Sequence, residues 1–281
     1  MRKHAIFVVL AMFLLLFLCV PAVFAATETF HETYEVAPGT PFRVHNINGG
    51  IRLSAWDKDY VDVVAEKREQ IGGNAKNVKI EVTVGDTITI ETVHLVKYPR
   101  VSVNYTISVP AAIVVESVQS SNGAITLQNV HGDVTAETSN GAIDITGHTG
   151  TVRAKTSNGA IELNRIDGYV EAKTSNGAIK ISGVSGLVSA ETSNGSISTE
   201  IPGIQNDVRI KTSNGAIKVY LSAELDASVE LKTSNGKIGL HDIEILTSEI
   251  GKTSLKGRIG DGGNLLYVKT SNGSIDVYRL E

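Results

Sequence analysis

Few side chains in this 281-residue sequence stand where chemistry could use them, and each is placed by its distance from a recurring Ser-Asn-Gly tripeptide. Asp144, Glu162 and Lys180 each lie three residues after a repeat glycine (Gly141, Gly159, Gly177), so stacked repeats would set them in one outward file. Two neighbouring carboxylates beside a lysine are what a glycosidase acid pair or a polysaccharide lyase base requires. Mixed charge on a solvated face accounts for the same three residues with fewer assumptions. Tyr220 and Tyr278 share another position, five after Gly215 and Gly273, from which rings could stack on sugars. Exposed tyrosines are also ordinary on any surface. His131 and His148 fall at near-equivalent corners of adjacent repeats, but two imidazoles do not close a metal site, and both are expected to be solvated. Asp57-Lys58-Asp59 is an isolated Asp-x-Asp, the composition of a surface turn. A calcium-binding β-roll would need Asp recurring in its Gly-rich turns, and an ice-binding face would need a flat outward array of Thr; neither is present. The sequons at Asn104, Asn194 and Asn272 allow glycosylation, although the last two fall within the repeat turn. No catalytic residue, metal ligand or cofactor is assigned, and the chain is expected not to be an enzyme.

The elements that position these residues are set by the repeat. Its glycines are 123, 141, 159, 177, 195, 215, 236 and 273, and Thr253 to Ile259 reads as a degenerate copy inside the longest gap. About nine repeats of ~18 residues are expected from Glu116 onward, with a relative at Val44 to Leu53. Within a unit, apolar and polar residues alternate with the strand period of two. Ile143 and Ile145, Ile161 and Leu163, Ile179 and Ile181, and Ile217 and Val219 follow the glycine inward. Val134 and Ala136, Val152 and Ala154, Val170 and Ala172, and Val188 and Ala190 precede the Thr, also inward. Arg153, Lys155, Glu162, Glu171, Lys173 and Lys180 stand between them and face water.

Asn-Gly between alternating apolar residues is also the hairpin signal, and would give an antiparallel meander. Such a sheet would leave an apolar face with nothing to cover it, and no helix is evident. A parallel β-solenoid buries those faces inside each coil and aligns equivalent residues between coils. The expected fold is therefore all-β, a parallel β-solenoid of two-stranded coils. In it Asn122, Asn140, Asn158, Asn176, Asn194, Asn214, Asn235 and Asn272 form a structural ladder, each amide bonding the next. Asn tolerates positive φ and Gly supplies a left-handed or tight conformation beside it, which is the reason expected for the pair. The Thr column at 138, 156, 174, 192, 212, 233 and 270 lines the rim of the core.

Composition narrows the classes further. Hydrophobic residues are 42% and charged residues 20%, so a folded chain is expected. Met1 to Ala25 has basic Arg2 and Lys3, an apolar run closed by Pro21, and Ala25 at the cleavage position, the pattern of a signal peptide. Losing Arg2 and Lys3 takes the net charge from −4 to −6, without the basic excess of a nucleic-acid binder. Cys19 is the one cysteine and departs with the leader, leaving no disulfide or thiolate. The expected divisions are a signal peptide (1–25), a β-rich N-terminal capping region with early irregular coils (26–118) and the repeat solenoid (119–281). Lys76 to Val84 and Thr87 to His94 read as a hairpin against the first coils. The last strand, Ile275 to Glu281, reads as an uncapped rod end, guarded by Arg279 and Glu281 or paired end to end with a second copy.

Val44 to Asp57, with Asn48-Gly49 and Ala55-Trp56-Asp57, then Val101 to Pro110 and the serial Asn-Gly coils, resembles the prokaryotic β-strand-repeat "putative adhesin" family of unknown function. The resemblance covers the chain beyond the leader. It implies a right-handed β-solenoid in the periplasm, at the cell surface or outside the cell, with no catalytic residues to carry over. The function expected is an exported, non-enzymatic interaction module that binds a cell-surface carbohydrate or protein, at most peripherally at a membrane. The alternatives are a structural spacer or envelope-stress accessory protein, and a carbohydrate-active enzyme on a β-helix.

Overall fold

A computed structural model describes residues 27–280; the expected leader, Cys19 and Glu281 lie outside them. The N-terminal third forms β1 (Thr27–Glu35), β2 (Pro41–Asn48), β3 (Ile51–Trp56), β4 (Tyr60–Glu69), β5 (Val78–Thr83), β6 (Ile88–His94) and β7 (Val101–Pro110). The regular repeats form β8 (Val114–Asn122), β9 (Ile125–Gln128), β10 (Val134–Asn140), β11 (Ile143–Thr149), β12 (Val152–Asn158), β13 (Ile161–Lys173), β14 (Ile179–Glu191), β15 (Ile197–Ile201), β16 (Val208–Lys211) and β17 (Ile217–Leu221). The C-terminal part forms β18 (Ala227–Lys232), β19 (Ile238–His241), β20 (Leu246–Ile250), β21 (Ser254–Ile259), β22 (Leu265–Lys269) and β23 (Ile275–Arg279). Among the described residues no helix is long and apolar enough to cross a membrane.

Pairing sorts the strands into two stacked sheets. The first runs β5, β6, β2, β8, β10, β12, then the second halves of β13 and β14, then β16, β22, β18, β21 and β20. The second runs β1, β4, β7, β3, β9, β11, the first halves of β13 and β14, then β15, β17, β23 and β19. The long strands β13 and β14 pass through both sheets, so the two are continuous. From β3 to β19 every pairing in the second sheet is parallel and in register: Ile143 on Ile161, Ile161 on Ile179, Ile197 on Ile217, Ile217 on Ile275. This is the solenoid expected from the repeat. Its buried side chains form one cluster running from Phe42 to Val277. Val118, where the sequence divides cap from repeats, is inside β8 and belongs to that cluster.

Three expectations fail, each for a geometric reason. A register shift in β14 sets Leu187 opposite Val170, so Leu187 is buried in place of Val188. The degenerate copy at 253–259 is no coil: β21 runs antiparallel to both β18 and β20, and folds over the end of the first sheet. The last strand is not the end of the rod. β22 lies between β16 and β18, and β23 between β17 and β19, so residues 265–279 thread back into the stack one coil from its end. Arg279 therefore guards no free edge, and end-to-end pairing through β23 has no open strand to use. The outer edges at this end are β19 and β20, and the ladder in β20 is broken by a bulge between Thr247 and Glu249, which blunts strand addition.

The N-terminal end is built in mirror fashion. β2–β3 stacks under β8–β9, while the chain first travels outward to make β4 to β7. The expected hairpin is present as antiparallel β5–β6, with β6 docked on β2. A buried polar knot ties this end. Asn46 donates from Nδ2 to the Val103 carbonyl (2.8 Å) and accepts from Thr92 Oγ1 (2.9 Å), which lies 2.7 Å from the Tyr105 hydroxyl.

Candidate functional site

The asparagines of the repeat tripeptide are occupied by the fold. Asn48 accepts from Asn122, Asn122 from Asn140, and so on through Asn158, Asn176, Asn194, Asn214 and Asn272 to Asn235, each amide donating Nδ2 to the Oδ1 of the one before it at 2.8–2.9 Å. The order of the ladder is the spatial order of the coils, with Asn272 between Asn214 and Asn235. None of these asparagines has positive φ, nor do the glycines beside them from Gly123 onward. No left-handed backbone occurs at these turns. A Cβ on Gly177 would instead strike the Gly159 carbonyl of the neighbouring coil, and the same holds along the file. The Thr column completes the turn: Thr156, Thr174 and Thr192 each donate Oγ1 to the glycine carbonyl of the preceding coil at 3.0 Å.

The candidate chemistry resolves as follows. Asp144 and Glu162 are opposite each other and Glu162 is opposite Lys180, as the spacing implied. Lys180 Nζ is 2.7 Å from Glu162 Oε1, which makes Glu162 an ion-pair partner. His148 is not solvated: it is 1% exposed, and its Nε2–H donates to the Gly132 carbonyl at 2.7 Å. Its Nδ1 is buried without a partner, and burial pushes the imidazole pKa below the ordinary value. His148 lies inside the corner because its strand continues past Gly147, which has positive φ and turns the chain inward. Asn104 accepts from the Gly50 amide through Oδ1, so this sequon is also engaged by the fold.

Tyr220 and Tyr278 do come together, and they bring a third ring. Tyr220 is opposite Tyr278, and Tyr278 opposite His241. The two phenol rings stack with centroids 5.1 Å apart and planes 19° apart, and His241 stacks on Tyr278 at 4.4 Å and 12°. Glu200 continues the file on the other side of Tyr220. Asp276 fixes His241 through Nε2 at 3.3 Å and is itself held by the Ser274 hydroxyl at 2.8 Å. An open groove of about 440 Å³ runs along the file, lined by Glu200, Tyr220, Tyr278, His241, Asp242 and Arg279. His241 is five residues after Gly236 and Glu200 five after Gly195, so the offset that marked the tyrosines also marked these two. The sequence reading missed them because their side-chain types differ. Among the described residues no cluster of three potential metal ligands occurs.

The family model described as Toastrack DUF4097 matches residues 48–278, from the first asparagine of the ladder to the second tyrosine of the row. The chain belongs to the Toastrack family. No curated protein matches this Toastrack chain. Among solved structures, a "putative adhesin" from Bacteroides fragilis is similar over 92% of this chain and all of its own, with 13% identity and a TM-score of 0.53. A "putative adhesin" from Parabacteroides distasonis covers 90% of this chain and 97% of its own at 12% identity, with a TM-score of 0.42. At such identities the Bacteroides likeness speaks for the Toastrack fold and for nothing finer.

Proposed function

We propose that this chain is an exported, non-enzymatic, adhesin-like interaction module that binds carbohydrate along the row Tyr220–Tyr278–His241. The row is the observation that carries the reading. Three stacked rings in one open groove turn a continuous row of ring edges toward a pyranose, while Glu200, Asp242 and Arg279 at its rim offer hydrogen bonds to hydroxyls. The adhesin naming of the Bacteroides relative agrees with a binding role, and the leader pattern at 1–25 with export. Glu162, the better-placed acid of the pair, is tied to Lys180, which favours binding over hydrolysis.

The test is a glycan array probed with the wild type and with Tyr220→Ala/Tyr278→Ala. Removing both rings should abolish the array signal while leaving the melting temperature nearly unchanged, since both side chains stand outside the core. An identical array pattern for the double variant would refute the assignment of the row.

A further inference from the structure

In the middle of the solenoid, most outward cations have an acidic partner one coil away. Lys155 meets Glu137 at 3.3 Å, Arg153 meets Glu171 at 3.7 Å, Lys180 meets Glu162 at 2.7 Å and Arg209 meets Glu191 at 2.8 Å. The file on the first sheet that begins with Glu137 and Lys155 continues through Lys173 and Glu191. It then departs from this rule. Glu191 is followed by Lys211, Lys211 by Lys269, and Lys269 by Lys232. Three lysines thus stand on consecutive coils, about 4.8 Å apart along the stack. Like charges set directly opposite each other in a sheet are destabilising. Glu230 pairs with Lys232, and Glu191 is taken by Arg209, so Lys211 and Lys269 have no acidic partner among the described residues. Beside them the Arg209 guanidinium lies over the Tyr267 ring at 5.4 Å, next in register.

We propose that this lysine file is a second binding surface, independent of the aromatic row, and that it takes a linear acidic polysaccharide. One cation per coil along a straight, rigid file fits a flexible polymer that repeats its carboxylate or sulfate groups along one direction. Arg209, held by Glu191 through Nε and laid over Tyr267, adds its Nη donors beside it. A compact anion can bridge two neighbouring lysines at most, whereas a polymer engages the whole file. The chain's overall net charge of −4 confines the attraction to this strip.

The experiment measures binding of the described chain to polygalacturonate and to dextran sulfate, with neutral dextran as control. Vesicles of equal parts phosphatidylglycerol and phosphatidylcholine are tested in parallel. The acidic polymers should bind, dextran should not, and added salt should weaken the binding. Lys211→Gln and Lys269→Gln should each cost about fivefold in affinity, and the double variant about the product of the two. Melting curves check that both variants stay folded. Tyr220→Ala/Tyr278→Ala should leave this binding unchanged, which separates its failure from that of the aromatic row. Lysine-independent binding, equal binding of dextran, no binding of either acidic polymer, or lysine-dependent binding of the vesicles in place of the polymers would overturn the proposal.

Discussion

Replacing Gly177 by Ala should damage this protein far more than its position in an exposed turn implies. The Cβ would meet the carbonyl of Gly159, lie 2.5 Å from that carbonyl carbon and 3.0 Å from the Ala160 nitrogen. All three are backbone atoms, so no rotamer change relieves the contact, and the two coils must separate. Separation strains Gly159 N–H to Asn176 O (3.1 Å), Asn176 N–H to Ser157 O (2.9 Å), the Asn176–Asn158 amide bond (2.9 Å) and the Thr174 hydroxyl bond to Gly159 (3.0 Å). Overpacking costs about 1–3 kcal/mol and each lost bond about 1 kcal/mol, so with two of these four bonds lost the total should reach about 4 kcal/mol. For a chain of this size that lowers the melting temperature by roughly 8–16 °C. Gly203→Ala is the control: nothing lies within 4 Å of its Cβ position, and its melting temperature should stay close to that of the wild type. Gly177→Asn discriminates between the two reasons a glycine can be required. A left-handed backbone would accept Asn, whereas a close approach of two backbones rejects it as it rejects Ala. Thermal unfolding followed by circular dichroism reads all three variants. A Gly177→Ala melting point within a few degrees of the wild type would mean that the coils are not held at this separation, and would refute the reasoning.

Two further outcomes follow from the ladder and the corner. Asn176→Leu removes the donor to Asn158 and the acceptor for Asn194, and should lower the melting temperature by roughly 4–8 °C, as expected for about 2 kcal/mol, without altering ligand binding. His148 is buried with its Nε2–H on the Gly132 carbonyl, and burial is the largest cause of its lowered pKa. The unfolded chain therefore takes up a proton below about pH 6.5 that the folded chain refuses. Stability from this residue is fully present above that pH and is lost as pH falls from the unfolded value toward the folded one. Melting temperatures at pH 7.5 and 5.5 should fall less steeply for His148→Gln than for the wild type, and equal slopes would remove His148 from the account.

How much could be read in advance varies along the chain. The parallel stack was legible because the Ile, Val and Ala positions keep the same offset from each glycine, and only one arrangement puts them all indoors. The amide ladder followed from the same offsets. The turn glycine was read correctly as indispensable but without its cause, since a sequence records that a side chain is missing and not which atom would have struck it. Val188 was misplaced because a bulge shifts the register by one without changing the alternation visible in the sequence. His148 looked like any polar corner residue, and only the course of β11 past Gly147 takes it inside.

The sequence by itself determined the coil, its two faces and what each repeated side chain does within it, because these depend on contacts a fixed number of residues apart. Only the tertiary structure decided the order in which the coils are stacked. The connection at 222–226 carries no periodic signal and 242–264 carries only a misleading copy of the repeat, while the entropy of closing a loop grows so slowly with its length that a long detour costs little more than a short one. The chain can therefore pass the next position in the stack, build β18 to β21 beyond it, and return to fill the gap. That detour seats Tyr278 between Tyr220 and His241 and Lys269 between Lys211 and Lys232, and so assembles both proposed surfaces from residues that the linear order keeps apart.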